Sequence, residues 1–346
     1  MKAVRIHEHG GPEVLRYENA PDPKPRADEV VIKVGACGLN HLDLFVRGGL
    51  PGLKLAMPHI LGSDAAGEIV EVGDVCDSAK VGERVLVAPG KSSRRGAMAA
   101  AGLDNFSPDY GIFGYQYTGL NSEYIAVPEA NALPIPGQLN YEEAASIPLV
   151  FLTAWHMLVG IAKLKMLEDV LVIGGSSGVG IAAIQIAKLF HCRVIATAGG
   201  EEKMAKAKAL GSDHVLDHYK QDIRAEVREI TKKRGVDVVF EHVGQATWKH
   251  SVSSLAHHGR LVTCGATTGG EVDLSVSHLF FRQLSLHGSF MGTMGELYEV
   301  LRLFDRGLLK PVVDKAFPLA ELRAAHEYLE GKEQFGKVVV VPEQVC

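Results

Sequence analysis

The residues with the clearest capacity for chemistry are the glycines Gly175, Gly178 and Gly180, set in the turn Gly174-Gly175-Ser176-Ser177-Gly178-Val179-Gly180. Glycine lets backbone N–H groups come close to a ligand, and N–H groups at the start of a helix favour an anion. The chemistry implied is the holding of a pyrophosphate. The spacing is G-x-x-G-x-G rather than the commoner G-x-G-x-x-G, and a glycine turn with no ligand also closes an ordinary strand-to-helix connection. The flanks carry the dinucleotide reading. Asp169 to Ile173 is a short apolar run that reads as a strand buried on both faces, and Ile181 to Leu189 reads as an apolar helix. Strand, glycine turn and helix form the setting in which a dinucleotide is bound.

No second cluster of comparable weight is present. The five cysteines, Cys37, Cys76, Cys192, Cys264 and Cys346, are far apart and include no C-x-x-C. That argues against a disulfide framework or a thiolate metal site and suits a reducing cytoplasm. Cys37 and His41 stand at i, i+4, but two ligands make a weak metal site. His257-His258, before Gly259-Arg260, is expected in a surface loop, and Trp155 and Trp248 are expected to pack against the core. The net charge is −5 and the sequence pI about 6.3, which gives no footprint for nucleic acid. No apolar run reaches the ~18 residues of a bilayer span, and the start MKAVRIHEHGGPEV does not read as a signal peptide.

The elements that must position the glycine turn fall into two textures within 346 residues, a length that favours two domains. Up to about residue 133 the chain reads as short strands separated by turn signals such as Gly10-Gly11-Pro12, Pro21-Asp22-Pro23 and Val81-Gly82-Glu83. The clearest strands are Lys2 to Ile6, Glu29 to Val34, Ala66 to Val72, Arg84 to Val87 and Glu123 to Val127, which together suggest a barrel-like β domain. From about Glu142, helices and strands alternate. A helical stretch over Tyr141 to Val159 is expected to break at Pro148. Strands are expected at Arg193 to Thr197, His214 to Leu216, Val236 to Phe240, Gly259 to Thr263 and Ser285 to Phe290, with helices at Glu201 to Leu210, Ile223 to Thr231 and Ala246 to Leu255. Alternation of this kind predicts a doubly wound parallel sheet. Two amphipathic helices and a closing strand, Lys337 to Val341, end the chain, and that strand is placed to return to the first domain.

Several stretches together resemble the medium-chain dehydrogenase/reductase superfamily, which holds zinc alcohol dehydrogenases and zinc-free quinone oxidoreductases. They are MKAVRIHEHGGPEVL, ACGLNHLDLFVRGG, LGSDAAGEIVEVG, VGERVLV, EEAASIP followed by LTAW, GGSSGVG and FGKVVVV. The resemblance spans nearly the whole chain. It implies a GroES-like substrate domain from residues 1–150 and 292–346, with a Rossmann domain from 151–291 inserted and the cofactor and substrate in the cleft between them.

By the same resemblance, zinc alcohol dehydrogenases take Cys, His and Cys ligands where this chain has Asn40, Ser63 and Leu149. None is a ligand zinc prefers, so no catalytic zinc is expected. Relatives also carry a four-cysteine zinc lobe before Pro-Asp-Tyr; here those positions are Ser93, Gly96, Ala99 and Ser107, before Pro108-Asp109-Tyr110. The lobe reads as a demetallated relic, expected to be looser than a zinc-bearing one.

For the cofactor, an NAD site needs an acid at the end of the second strand of the sheet, where this chain has Ala198. Gly199 gives backbone room, Lys203 matches the lysine that approaches the 2′-phosphate of NADPH in relatives, and His218 stands where they often have tyrosine. NADPH is therefore expected over NADH. The glycine turn Gly175, Ser176, Ser177, Gly178, Val179 and Gly180 would take the pyrophosphate. Val243, Gly244, Gly265, Ala266, Phe290 and Met291 match loops over the nicotinamide, and Lys337 matches a lysine near the cofactor. Asn40 and Thr153 match positions lining the nicotinamide pocket, and Asp43 lies in a segment placed for proton transfer, as do His41 and Tyr115. His242 stands where relatives usually carry Asp.

Without a Lewis acid the acceptor must already be electrophilic, which points to quinones or α,β-unsaturated carbonyls. An enoyl-thioester reductase, with Arg94, Arg95 and Arg282 as available cations, a zinc alcohol dehydrogenase and a non-catalytic NADPH-binding protein are the alternatives. A homodimer joined at the Ser285 to Phe290 edge strand is expected, with neither nucleic acid nor membrane as partner.

Overall fold

A computed structural model describes residues 1–50, 52–93 and 95–343; Arg94 and Cys346, named above, lie outside the described residues. The chain forms two compact units, one of Met1–Leu149 with Thr293–Cys346 and one of Val150–Gly292.

The first unit is GroES-like and built around the ten-residue strand Glu29–Gly38. It pairs antiparallel with Asp64–Val72, Tyr124–Pro128 and Lys337–Val341. The closing strand therefore returns to the first domain, with Val339 opposite Gly38 and Val340 opposite Cys37. Its outer neighbour is Val313–Pro318; on the other side Arg84–Val87 and Ala132–Pro134 complete seven strands. Alternate residues, Val30, Ile32, Val34, Val85, Val87, Ile125, Val127, Val338 and Val340, turn into one core with the two-residue period of a strand, while Val31, Leu86 and Val339 between them are buried too. Cys37 lies in the strand and His41 opens a helix, so the two do not share a helical face as their spacing suggested.

That helix, His41–Gly48, has a capping box: Asp43 Oδ2 accepts the Asn40 N–H at 2.8 Å. Its last turn is tied down by Arg47, only 4% exposed. Nε donates to Gly10 O at 3.2 Å, Nη1 to His326 Nδ1 at 3.1 Å, and Nη2 pairs with Glu330. His326 and Glu330 belong to the helix Leu322–Glu330, which leads into the closing strand. In the lobe, residues 95–104 include no buried side chain, whereas Asn105 and Ser107 are buried.

The second unit is a six-stranded parallel sheet. Across the sheet the strands run His214–Asp217, Arg193–Ala198, Asp169–Val172, Val236–Glu241, Leu255–Thr263 and Ser285–Gly288. The chain works outward from Asp169–Val172 to one side, then crosses to Val236–Glu241 and works outward to the other. This is the Rossmann order, with its switch point between those two strands. Pro148 opens the helix Pro148–Trp155 instead of breaking one, because proline suits a first turn whose N–H has no partner. The last strand stops at Gly288, which leaves Phe290 and Met291 beyond it. His257 and His258 lie within Leu255–Thr263, not in a loop, with both side chains exposed. The helix Val276–Phe281, capped by Ser275, was not expected. Trp155 is buried, and Trp248 packs against the core of the sheet.

Arginine only donates, so His326 Nδ1 accepts and the ring stays neutral; burial, and then the Arg47 charge, hold its pKa down to about 3. An unfolded histidine protonates near ~6.5, so the native state is favoured above that value and loses stability as pH falls towards 3. The variant His326→Gln removes this slope. Urea midpoints at pH 7 and pH 4.5 should show the native chain losing more stability than the variant; equal losses would show that His326 is not held neutral.

Candidate active site

In the second unit the glycine turn sits at the switch point of the sheet. Gly174 has φ +64°, and its N–H donates to Thr197 Oγ1 at 2.9 Å, while the Gly175 N–H donates to Thr197 O at 2.7 Å. Ser177 caps the helix Gly178–Leu189: its Oγ accepts the Gly180 N–H at 3.0 Å and donates to Gly174 O at 2.8 Å. A β-carbon on Gly180 would lie 2.2 Å from Gly174 O, so only glycine allows the helix to start this close to the strand. The N–H groups of Ser176, Gly178 and Val179 remain at the open end of the turn, where no helical acceptor precedes them. This is the donor set that a pyrophosphate needs.

His242 reaches the turn from the neighbouring strand, with Nε2 3.2 Å from Ser177 Oγ. The serine hydrogen is committed to Gly174 O, so Nε2 carries the hydrogen of this contact. Burial lowers the pKa of His242, against the pull of Glu241.

Glu241 was missed by sequence reasoning, although it closes an apolar strand three residues before Gly244. It is fully buried, and its Oε1 accepts the N–H groups of His242, Val243 and Gly244 at 3.0, 2.7 and 3.2 Å. The hydroxyls of Thr247 and Ser251 complete its shell. One carboxylate thus shapes the loop that carries Val243 and Gly244. Gly265 and Ala266 pack against that loop: a β-carbon on Gly265 would be 2.7 Å from His242 O, and one on Gly244 would be 3.0 Å from Ala266 Cα. Burial, then the Glu241 charge, push the Cys264 thiol up to about 12, so it stays protonated. Past the last strand Phe290 is half exposed, and Met291, at φ +55°, is buried.

At the end of the second strand Ala198 is buried and offers no carboxylate. Gly199 lies under the His218–Tyr219 pair, whose rings are 4.4 Å apart edge to face; a β-carbon there would be 2.3 Å from the tyrosine ring. Lys203 stands in the first turn of the next helix, Glu201–Ala209. Thr153 is 4% exposed in its helix, and its Oγ1 has no hydrogen-bond partner among the described residues.

In the first unit, the segments carrying Asn40, Ser63 and Leu149 converge. Asn40 Nδ2 donates to Asp64 Oδ2 at 2.9 Å, and the Leu149 N–H donates to Asp64 Oδ1 at 2.9 Å. Lys337 Nζ donates to Asn40 Oδ1 at 2.7 Å, Leu39 O at 2.7 Å and Asp64 Oδ2 at 3.0 Å. Ser63 Oγ is committed to Phe113 O at 2.7 Å, and Cys37 Sγ to Leu120 O at 3.1 Å. The donor chemistry does not fit zinc: an amide engaged at both ends, a hydroxyl engaged elsewhere and a leucine. Among the described residues no three His, Cys, Asp or Glu side chains are grouped to hold a metal ion. Asp43, 1% exposed, has its carboxyl pushed up to about 7 by burial, against the pull of the Asn40 N–H and the Lys337 ammonium. Tyr115 packs near Ile6, Val46 and Leu61.

Comparison with known proteins adds to this picture. The model of the alcohol dehydrogenase GroES-like domain matches residues 26–137, and that of the zinc-binding dehydrogenase matches residues 178–306. A quinone oxidoreductase of Homo sapiens is 29% identical over 349 residues, covering 99% of this chain and 98% of the relative. An NAD-dependent alcohol dehydrogenase of Saccharolobus solfataricus is 30% identical over 351 residues, covering 99% and 100%. The crystal structure of an NAD-dependent alcohol dehydrogenase superposes with a TM-score of 0.95 at 43% identity, covering 99% of each chain.

An Asp43 raised to about 7 from an unfolded value near ~4 sets a pH slope. Its contribution is fully present below ~4 and is lost as pH rises through 7, by up to ~1.4 kcal/mol per pH unit in that window. Asp43→Asn keeps an acceptor for the Asn40 N–H and removes the slope. Urea denaturation should show the variant gaining on the native chain between pH 5 and pH 8. Equal changes in the native chain and the variant over that range would mean an Asp43 ionised throughout.

Proposed function

The chain belongs to the medium-chain dehydrogenase/reductase superfamily, and on that premise we propose that it is an NADPH-dependent reductase of quinones or α,β-unsaturated carbonyls that works without zinc. The observation that carries this reading is the Asn40–Asp64–Lys337 network, which commits the very segments that hold zinc ligands in the alcohol dehydrogenases of the family.

The turn Gly175 to Gly180 would hold the pyrophosphate of the cofactor. Gly199, Lys203 and His218 would receive the 2′-phosphate, with no carboxylate at Ala198 to repel it. Val243, Gly244, Gly265, Ala266, Phe290 and Met291 would frame the nicotinamide, their loops fixed by Glu241. When bound, the cofactor supplies hydride, and the work of the protein is to orient it against an electron-poor carbon and exclude water. With no ligand set for a Lewis acid, the acceptor has to bring its own electrophilic carbon, which selects quinones and enones over simple ketones. Thr153 Oγ1 has a hydrogen to give to the acceptor oxygen, and solvent supplies the proton of the product.

The names of some relatives, though not of the quinone oxidoreductases among them, favour a second reading, an NAD-dependent alcohol dehydrogenase. The two differ in cofactor, in acceptor and in response to chelation. We also propose a homodimer paired through the open edge Ser285–Gly288, beside which Val276, Phe280 and Phe281 are exposed. The free thiols Cys37, Cys76, Cys192 and Cys264 suit a reducing, cytoplasmic compartment. Among the described residues no helix is long and apolar enough to cross a membrane.

The test is cofactor oxidation, with a chelator present throughout, against a quinone, a 2-enal, an enoyl thioester and a simple ketone. Turnover of quinone or enal and not of ketone is expected, whereas ketone turnover that chelation abolishes favours the second reading. Fluorescence titration should give a Kd for NADPH at least tenfold below that for NADH; equal values, or tighter NADH, overturn the cofactor assignment.

A further inference from the structure

Lys337 matches a lysine that approaches the cofactor in relatives, but its surroundings here are those of an internal group. The side chain is 4% exposed. An ammonium has three hydrogens and no acceptor, and here Leu39 O, Asn40 Oδ1 and Asp64 Oδ2 engage all three, at 2.7, 2.7 and 3.0 Å. Nothing is left over for a phosphate or a ribose.

The partners explain what the charge does. Asp64 is fully buried, and its two oxygens also take the Leu149 N–H and Asn40 Nδ2, each at 2.9 Å. A buried carboxylate of this kind is tolerable only with a cation beside it. Asn40 presents an oxygen and a nitrogen of nearly equal size, so its amide fits its slot in two orientations. A donor-only ammonium on one side and a carboxylate on the other accept one orientation alone.

We propose that Lys337 is a positioning residue: an internal cation that orients the Asn40 amide and holds the segments of Asn40, Asp64 and Leu149 together, and not a ligand of the cofactor. Its effect on turnover rests on the reading of Asn40 as part of the nicotinamide pocket; its independence from cofactor binding does not.

The experiment compares the native chain with Lys337→Met and with the double variant Asp64→Asn/Lys337→Met. It measures urea midpoints, the Kd of whichever nicotinamide cofactor the native chain binds, and kcat and KM on the best acceptor of the native chain. Lys337→Met strands the Asp64 charge and is expected to be strongly destabilised. The double variant buries no charge and is expected to recover most of the native midpoint, so the comparison survives if the single variant does not fold. In the double variant the cofactor Kd should stay within twofold of native while kcat falls tenfold or more with KM little changed. A tenfold weaker cofactor Kd overturns the proposal, as does a double variant with native kcat. If the native chain reduces none of the acceptors, the reductase reading fails on its own; recovery of stability in the double variant with unchanged cofactor Kd still supports the internal-cation role, and a weakened Kd still refutes it.

Discussion

A carboxylate and an ammonium almost wholly removed from water, Asp64 and Lys337, meet 3.0 Å apart in the first unit, and much of that unit is arranged around making the meeting tolerable. Each ion loses several kcal/mol of hydration on burial, and the pair is viable only when every remaining hydrogen and lone pair finds a partner. Leu39, Asn40 and Leu149 supply those partners. The result couples strand Glu29–Gly38, helix His41–Gly48, strand Asp64–Val72 and the closing strand at one point. At the far end of the helix Arg47 performs a similar join to His326 and Glu330, so the helix is held at both termini.

The second unit solves a comparable problem with one ion. Among the described residues no cation pairs with Glu241; its charge is met by three consecutive backbone N–H groups and two hydroxyls. Charge-assisted bonds of this kind are roughly twice as strong as neutral ones. They fix the loop at the switch point, and His242 carries that order across to Ser177 in the glycine turn. Turn and loop are thus one hydrogen-bonded assembly set across two parallel strands.

The sequence made the local features legible. The apolar run before Gly174, the glycine spacing and the returning Lys337–Val341 strand are patterns within a few residues, and the structure has them. What stayed hidden depends on neighbours. Strands Arg16–Asn19 and Val313–Pro318 lie at sheet edges and bury only Phe317 between them, so they show no alternation to read. Helix His41–Gly48 has a local signal, Asn40 and Asp43 in capping-box register, but the same residues also fit the pattern of a ligand segment, and the sequence alone does not separate the two. The partners of Lys337 and Glu241 had no such signal: a short motif names a residue type, and only the folded chain shows which oxygens surround it. The glycine turn at the start of its helix and the strand end at Ala198 were legible as local features, whereas the Asn40–Asp64–Lys337 network was not.

The order of the two units along the chain has a consequence for how the protein comes into being. The Rossmann unit is one continuous segment, Val150–Gly292, and its sheet is complete when that segment has been made. The GroES-like unit is split. Its central strand Glu29–Gly38 must wait for Lys337–Val341, and Asn40 waits 297 residues for the lysine that orients it. During synthesis at about 5–20 residues per second, the N-terminal part therefore spends on the order of fifteen seconds to a minute with Asp64 uncompensated and the Cys37–Gly38 end of its central strand without the closing strand. An open edge of that kind is an invitation to pair with another nascent chain. The inserted segment is complete before then, so the two halves of the outer unit join only after the whole of the other unit has been made.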